Sequence, residues 1–294
     1  MTHDLGTILT AMVTPFAADM AVDQAKLREL AEHLLAHGSD GLVVAGTTGE
    51  SPTLDDAEKT AMFRTVVEVA SGRGAVVAGT GSNDTRHSVE LTKQAEACGV
   101  DAVLVVTPYY NKPPERGLVE HFRAVAAATS LPMIVYNIPG RTGVNLSPRT
   151  LATLGEVDNI VAVKQANPDP GELDELFASG ALGVYAGNDD MLCEVAVRGG
   201  EGGICVASHV AGERMAEVVR LARAGEPDAA AAADAELHGL FKALFVATNP
   251  IPVKAALALL GHDVGGLRLP LVEASAEERA IVAAELRKLG FDLP

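Results

Sequence analysis

The sequence predicts an α/β protein with a (β/α)8 barrel, the TIM-barrel fold, followed by a C-terminal helical region. Eight short apolar runs, most of them rich in valine or isoleucine, recur through the first three-quarters of the 294 residues. The runs are nearly continuous in apolar character, as expected for parallel strands that helices cover. Helical segments separate them, and eight such units close a barrel of this size.

The predicted strands follow one another at intervals that leave room for a helix between them. In chain order they span residues 7–13, 41–46, 75–81, 101–108, 132–137, 159–164, 182–189 and 202–208. A doubly wound open sheet is the alternative. It is disfavoured because no G-x-G-x-x-G motif follows the first strand to begin a helix.

The predicted helices are recognised by their ends. In the segment 51–72, Thr53 begins a T-x-x-D pattern that resembles a capping box, and several helical segments end at glycine. The strand signal stops near residue 210, and the alanine-rich stretch 229–233 favours a helix. We therefore predict a barrel that carries the active site over residues 1–225 and a helical region over residues 226–294.

Composition and charge exclude several classes of function. The formal net charge of −16 makes nucleic acid and anionic membranes poor partners. No apolar run is long enough to span a membrane, and the N-terminus lacks a basic segment followed by an apolar stretch. The three cysteines are widely spaced, which indicates neither a disulfide framework nor a metal site. We expect a cytoplasmic protein.

The active site of a parallel barrel lies at the carboxyl ends of its strands, and Lys164 ends the sixth predicted strand. Burial there favours the neutral amine, which attacks a ketone to form a Schiff base. The residues alone leave open a buried lysine paired with a carboxylate, or one whose amine reaches solvent. Lys254 lies in the helical region and is a weaker candidate. Because hydroxyls dominate the other strand ends, we expect no metal and no cofactor.

Hydroxyl groups lie at the ends of neighbouring strands. Tyr136 ends the strand before Lys164, and adjacent strands are about 4.8 Å apart. With Thr47 and Tyr110 it would form a proton relay, although core packing is the alternative for a barrel tyrosine. The segment 46–51 suits either a tight turn or a carboxylate cradle. Arg141 suits a second carboxylate or a solvated loop position.

Four motifs together resemble the dihydrodipicolinate synthase (4-hydroxy-tetrahydrodipicolinate synthase) family, in the same order and over nearly the whole chain. They span residues 46–51, 107–111, 136–143 and 249–254. The Gly-Thr-Thr-Gly-Glu segment alone marks the broader superfamily, which includes N-acetylneuraminate lyase and 2-keto-3-deoxy-sugar-acid aldolases. The double tyrosine and the Arg-Thr-Gly segment are more specific to the synthase.

The resemblance implies condensation of pyruvate with L-aspartate 4-semialdehyde, on the route to diaminopimelate and lysine. Lys164 would form the imine with pyruvate. Tyr136, Thr47 and Tyr110 would form the proton relay, and Tyr110 would come from a neighbouring subunit of a homotetramer.

Substrate binding is implied in the same way. Thr48 would hold the carboxylate of pyruvate, and Arg141 would receive the carboxylate of the semialdehyde. Gly187 and Ile204 match family positions that line the pocket with backbone groups.

Two departures from the family pattern stand out. Gln165 follows the lysine where the family commonly has an acidic residue. The second concerns a lysine-feedback site, whose positions are matched by Ser51, Asn83 and Tyr109. Positions often held there by histidine and glutamate carry Asp56, Lys59 and His87. We expect weak or absent lysine inhibition, because Lys59 would repel the ligand and His87 supplies no carboxylate.

Two other functions remain to be weighed. A pyruvate aldolase of the same superfamily acting on a sugar acid is disfavoured by Arg141 and Tyr110. A barrel without catalytic activity is disfavoured because the lysine, tyrosines and threonines all follow strands.

Overall fold

The computed structural model describes residues 5–293. The first four residues lie outside this range, and they belong to the N-terminal segment on which the expectation about a signal peptide rests. Eight parallel strands form a closed barrel in which each strand pairs with the next and the last pairs with the first. The strands are β1 Ile8–Ala11, β2 Gly41–Val44, β3 Ala75–Gly79, β4 Ala102–Val106, β5 Met133–Asn137, β6 Ile160–Gln165, β7 Gly183–Ala186 and β8 Gly202–Cys205. The predicted (β/α)8 fold is confirmed.

Side chains on each strand alternate between the barrel interior and the surrounding helices. On β6, Ala162 belongs to the interior cluster that also holds Tyr136 and Ile204. Its neighbour Val163 belongs to the outer cluster, which packs against the helices. Because both faces of the sheet are buried, polar residues are confined largely to the strand ends, and this confinement produces the apolar runs.

Helices connect the strands and continue beyond the last one. Within the described residues they are α1 Gln24–Ala36, α2 Asp56–Ala70, α3 Thr85–Ala97, α4 Glu115–Ala126, α5 Pro139–Thr142, α6 Pro148–Leu154, α7 Pro170–Ser179, α8 Leu192–Val197, α9 Ser208–Arg223, α10 Pro227–Ala235, α11 His238–Ala243, α12 Ile251–Leu259 and α13 Ala276–Lys288. None of the helices in this part of the chain is long and apolar enough to cross a membrane.

The start of α2 differs from the prediction. Thr53 was expected to cap it, but Thr53 lies in a short 3-10 turn, Ser51–Thr53. The cap is Asp55, whose side chain accepts from the backbone of Glu58 at 2.8 Å, while the Glu58 carboxylate accepts from the backbone of Asp55 at 3.0 Å. The capping box therefore begins two residues later, and the predicted cap was wrong.

The C-terminal helices pack against the barrel and reach its mouth. The alanine-rich stretch 229–233 lies in α10, as predicted. The predicted boundary at residue 225 falls between α9 and α10, and the division into two regions remains a prediction. Arg268, beyond α12, donates to the carboxylate of Glu58 on α2 at 2.8 Å. The helical region therefore contacts the elements that follow the second strand.

Candidate active site

Lys164 lies inside the mouth of the barrel. On β6 it occupies the same face as Ala162, which belongs to the interior cluster. The sheet register pairs Lys164 with Tyr136 of β5. The Lys164 side chain is 5% exposed, and its Nζ lies 4.2 Å from the centroid of the Tyr136 ring. The amine is therefore enclosed and lies against an aromatic face.

Among the described residues, the Lys164 amine makes no hydrogen bond and no ion pair. Lys254 is equally buried, but its Nζ lies 2.7 Å from Oε1 of Glu50 and donates to the carbonyl of Gly266 at 2.7 Å. The pairing with a carboxylate that was the alternative for Lys164 is thus found at Lys254. A buried amine without a partner is the arrangement that a covalent carbonyl reaction needs.

Asp189 is a buried carboxylate in the turn after β7, and the sequence reasoning did not assign it a role. It accepts from the backbone N–H groups of Val206 at 2.8 Å and Ala207 at 2.9 Å. Burial raises the pKa of Asp189, while these two N–H groups and the positive charge of Lys164 oppose the rise. Asp189 therefore fixes the end of β8 and contributes to the electrostatic environment of the amine.

The loop after β2 presents Thr47 and Thr48 differently. Thr47 lines a cavity at the mouth of the barrel, whereas Thr48 is 3% exposed. The side-chain amide of Asn249 donates to the hydroxyl oxygen of Thr48 at 2.9 Å. Glu50, in the same loop, is held by Lys254. Asn249 and Lys254, both in the C-terminal region, thus hold this loop in place. Neither contact was predicted from the sequence.

Arg141 lies at the exposed mouth of the site, at the end of α5. Its Nη2 group lies 3.4 Å from the carbonyl oxygen of Asn249. Asn249 therefore contacts both Thr48 and Arg141, the two residues expected to bind carboxylates.

Gly187 directly follows β7, and Ile204 lies in β8, the two strands that come after the one carrying the amine. A Cβ atom on Gly187 would lie 2.8 Å from the carbonyl oxygen of Gln165, so a larger residue does not fit. The backbone N–H of Gly187 donates to the same oxygen at 2.8 Å. Ile204 is fully buried in β8.

Gln165 lies on the opposite face of β6 from the amine. Its Oε1 accepts from the amide of Asn137 at 2.9 Å, and the residue is fully buried. The glutamine that replaces the family's usual acidic residue here therefore takes part in hydrogen bonds on the outer face of the barrel sheet, away from the amine.

Tyr110 stands apart from the other site residues. It is 88% exposed, and its φ of 73° is in the left-handed region. Such a conformation is unfavourable for a tyrosine. Tyr110 does not line the cavity at the barrel mouth of its own chain.

A cavity of about 390 Å³ opens at this end of the barrel. Its walls include three of the predicted catalytic and substrate-binding residues, Thr47, Tyr136 and Arg141. They also include five residues of the predicted effector site, Ser51, Lys59, Asn83, His87 and Tyr109. The lining residues do not include Lys164, Thr48, Gly187 or Ile204. Some residues of both predicted groups therefore line the same cavity within a single chain.

Comparison with known proteins identifies the same architecture elsewhere. Residues 4–289 match the model of the dihydrodipicolinate synthetase family. The chain is 52% identical to the 4-hydroxy-tetrahydrodipicolinate synthase of Moorella thermoacetica over 97% of this chain and 99% of that protein. The dihydrodipicolinate synthase structure from Bacillus anthracis superposes with a TM-score of 0.94 at 43% identity, covering 98% of this chain and 99% of the other.

A further structure is that of the chloride-inhibited dihydrodipicolinate synthase from Acinetobacter baumannii complexed with pyruvate. It has a TM-score of 0.95 at 40% identity and covers 98% of this chain and 100% of the other.

Proposed function

Because the chain belongs to the dihydrodipicolinate synthetase family, we infer that it catalyses the 4-hydroxy-tetrahydrodipicolinate synthase reaction. The enzyme is a Schiff-base-forming lyase that condenses pyruvate with L-aspartate 4-semialdehyde, on the route to diaminopimelate and lysine. The observation that carries this function is the buried, unpaired amine of Lys164 beside Tyr136. A sugar acid as the second substrate receives no support from the named relatives.

In the proposed reaction, Nζ of Lys164 adds to the ketone carbon of pyruvate. The carbonyl oxygen takes up protons and leaves as water, so that an imine forms. Loss of a proton from the methyl carbon gives an enamine, and that carbon bonds to the aldehyde carbon of the semialdehyde, whose oxygen takes up a proton and becomes a hydroxyl. The amino group of the semialdehyde then adds to the imine carbon and displaces Nζ, which closes the ring and frees Lys164. Each step moves a proton, and Tyr136, Thr47 and Tyr110 are proposed as the relay.

The proposed carboxylate contacts follow from the hydrogen bonds of Thr48. Its oxygen already accepts from Asn249, so the hydroxyl hydrogen is free to donate to the carboxylate of pyruvate. Arg141, at the exposed mouth, would bind the carboxylate of the semialdehyde. Backbone groups of Gly187 and Ile204 would line the interior.

The exposed Tyr110 supports an oligomeric active site. An aromatic side chain that is 88% exposed is suited to burial against another subunit. We propose that Tyr110 enters the site of a neighbouring chain and that the assembly is a homotetramer. We also propose a cytoplasmic location, with the barrel over residues 1–225 and the helical region over 226–294.

Trapping with borohydride tests the function directly. Incubation with pyruvate and sodium borohydride should leave a stable adduct on Lys164, located by peptide mass mapping. Lys164→Ala and Lys164→Arg should give no adduct and lose about 10³-fold or more of the activity, as expected when a nucleophile is removed. An adduct on another lysine, or near-normal turnover in either variant, would disprove the assignment.

Feedback by lysine is expected to be weak or absent. The amine of Lys59 and the imidazole of His87 line the effector end of the cavity, and His87 is paired with Asp56 at 2.9 Å. Steady-state assays with L-lysine at sub-millimolar concentration should show unchanged activity. The double variant Lys59→His/His87→Glu should become more sensitive, whereas potent inhibition of the wild type would refute the prediction.

A further inference from the structure

Three histidines stack on one another between α1 and the segment that follows α12, residues 261–268. The ring centroid of His33, in the last turn of α1, lies 4.2 Å from that of His37 and 4.0 Å from that of His262. The ring planes are tilted by 33° and 37°. None of the rings in this histidine stack lines the cavity at the barrel mouth, and the proposed reaction uses none of them.

The contacts of the histidine stack suit uncharged rings. Nδ1 of His37 donates to the backbone carbonyl oxygen of His33 at 2.7 Å, because a carbonyl can only accept. Within residues 5–293, no carboxylate forms an ion pair with any of the three rings. Neutral rings in contact attract each other through dispersion, whereas two protonated rings about 4 Å apart repel each other. Protonation therefore weakens the stack.

A proton on His33 is unfavourable in the folded protein. Burial lowers the pKa of His33 from its ordinary value of 6.5 to about 4, and the nearby rings of His262 and His37 act in the same direction. A form in which the rings separate restores the ordinary pKa and binds more protons. The stack therefore contributes its full stability above pH 6.5, and this contribution is lost as the pH falls from 6.5 towards 4.

The groups on the α9 side of the stack do not neutralise an added proton. The stack lines a cavity of about 490 Å³, and the charged residues of α9 that line it are Glu213 and Arg214, whose opposite charges offset each other. His209 lines the same cavity, but its Nε2 accepts from the backbone N–H of Val13 at 3.1 Å. Burial lowers the pKa of His209 to about 4, so its ring stays neutral. The C-terminal residues that line the cavity, 289–291, are uncharged.

The charged groups on the α1 side are paired or exposed. Three ion pairs engage charged side chains of this helix: Lys26–Asp263, Arg28–Glu68 and Glu32–Arg73. Glu29, one turn before His33, is exposed, so water and salt screen its charge. None of the described groups on either side therefore acts as a fixed counterion for a protonated stack.

The segment that begins beside His262 ends at the loop after β2. The carbonyl oxygen of Gly266 accepts from the amine of Lys254 at 2.7 Å. Two residues further on, the backbone N–H of Arg268 donates to the carboxylate of Glu50 at 3.0 Å. Glu50 belongs to the loop that forms part of the barrel mouth. A displacement of the segment at the stack therefore acts on contacts that hold this loop.

We propose that the histidine stack is an acid-sensitive switch. Protonation drives the rings apart and frees residues 261–268 from α1. The contacts of this segment with Lys254 and Glu50 then loosen, and the loop after β2 loosens with them. The switch does not depend on the reaction at Lys164, so its failure would leave the proposed function untouched.

Hydrogen–deuterium exchange of the full-length protein at pH 7 and pH 5 tests the switch. After correction for the intrinsic effect of pH on exchange, the amides of residues 261–268 should exchange at least about fivefold faster at pH 5, because protons favour the open form. Helix α7, which contains no histidine, should show no such change. Protection should return when the pH is restored to 7. Equal exchange at both pH values, or protection that does not return, overturns the proposal.

Variants assign the effect to the stack. His33→Phe and His33→Gln take up no proton, so the acceleration at pH 5 should fall below about twofold in both. His121→Phe is the matched control and should keep the wild-type acceleration. Burial lowers the pKa of His121 to about 4 as well, but this residue lies in α4, outside the stack.

Circular dichroism of each variant checks folding, and two different substitutions of His33 guard against the failure of one. If both His33 variants keep the acceleration, or if only His121→Phe loses it, the acid response does not arise in the stack. Either result overturns the proposal.

Discussion

Three lysines are buried within the described residues, and each has a different environment. Lys254 is paired with Glu50, Lys164 faces an aromatic ring, and Lys59 faces a cavity. Burial alone therefore does not define the function of a lysine, because the partner decides which chemistry remains available. A paired ammonium is structural, whereas an unpaired amine is available to react or to bind.

The Lys254–Glu50 pair should contribute to stability through both partners. Lys254→Met leaves the fully buried carboxylate of Glu50 without its counterion, at an expected cost of about 3–5 kcal/mol in the free energy of unfolding. The double variant Lys254→Met/Glu50→Gln should recover part of this loss, because it removes both charges. Urea unfolding at one fixed protein concentration measures the wild type, the single variants Lys254→Met and Glu50→Gln, and the double variant. Equal losses in the single and double variants would show that packing, not charge, is responsible.

At the residue scale, sequence reasoning identified the residues whose position follows from a strand end. Lys164 and Tyr136 lie next to each other because the register of adjacent strands places them there. Asn249 was missed because its contact joins residues 201 positions apart. Nothing in the local pattern of either segment encodes that hydrogen bond, and it forms only when the C-terminal region packs against the loop after β2.

At the scale of the elements, strand positions were predicted better than helix ends. A buried parallel strand requires several consecutive apolar residues, so its signal is spread over the whole segment. A cap depends on a single backbone conformation. Both Thr53 and Asp55 are residue types that favour caps, but the 3-10 turn Ser51–Thr53 shifts the start of α2 to Asp55.

The revised cap of α2 leads to a stability prediction. Asp55→Ala removes the oxygen that accepts from the backbone of Glu58 and should lower the free energy of unfolding by about 1 kcal/mol. Asp55→Asn retains an acceptor of similar geometry and should be close to the wild type. Thermal or urea unfolding of the two variants distinguishes them. An equal loss in both would assign the effect to the charge of Asp55 instead of its cap.

For the whole molecule, closure of the barrel follows from the number of strands and from their regular alternation with helices. The assembly does not follow from the same pattern, because subunit contacts leave no periodic signal in the chain. One residue nevertheless indicates them: Tyr110 combines a positive φ with almost complete exposure. A strained conformation at an aromatic residue is retained where it serves a function, and the function we propose for Tyr110 is contact with another subunit.

Mixed assemblies test whether Tyr110 acts across the interface. Tyr110→Phe alone should lose about 10²-fold of the activity, and Lys164→Ala should be almost inactive. In a hybrid of the two variants, a Tyr110 supplied by the partner would restore one complete site, with Lys164 from one chain and Tyr110 from the other. The hybrid should recover about half of the wild-type activity, because one site in each pair is intact.

The hybrid is prepared by co-expressing the two variants with different affinity tags and purifying through both. As controls, each variant is also prepared alone with each of the two tags, because the tags themselves must not restore activity. If Tyr110 acted within its own chain, every site in the hybrid would lack either the lysine or the tyrosine, and activity would remain near that of Tyr110→Phe. Recovery of activity therefore requires a stable interface and a Tyr110 side chain that enters the site of the partner chain. If activity does not recover, Tyr110 is not the residue that completes the relay across the interface.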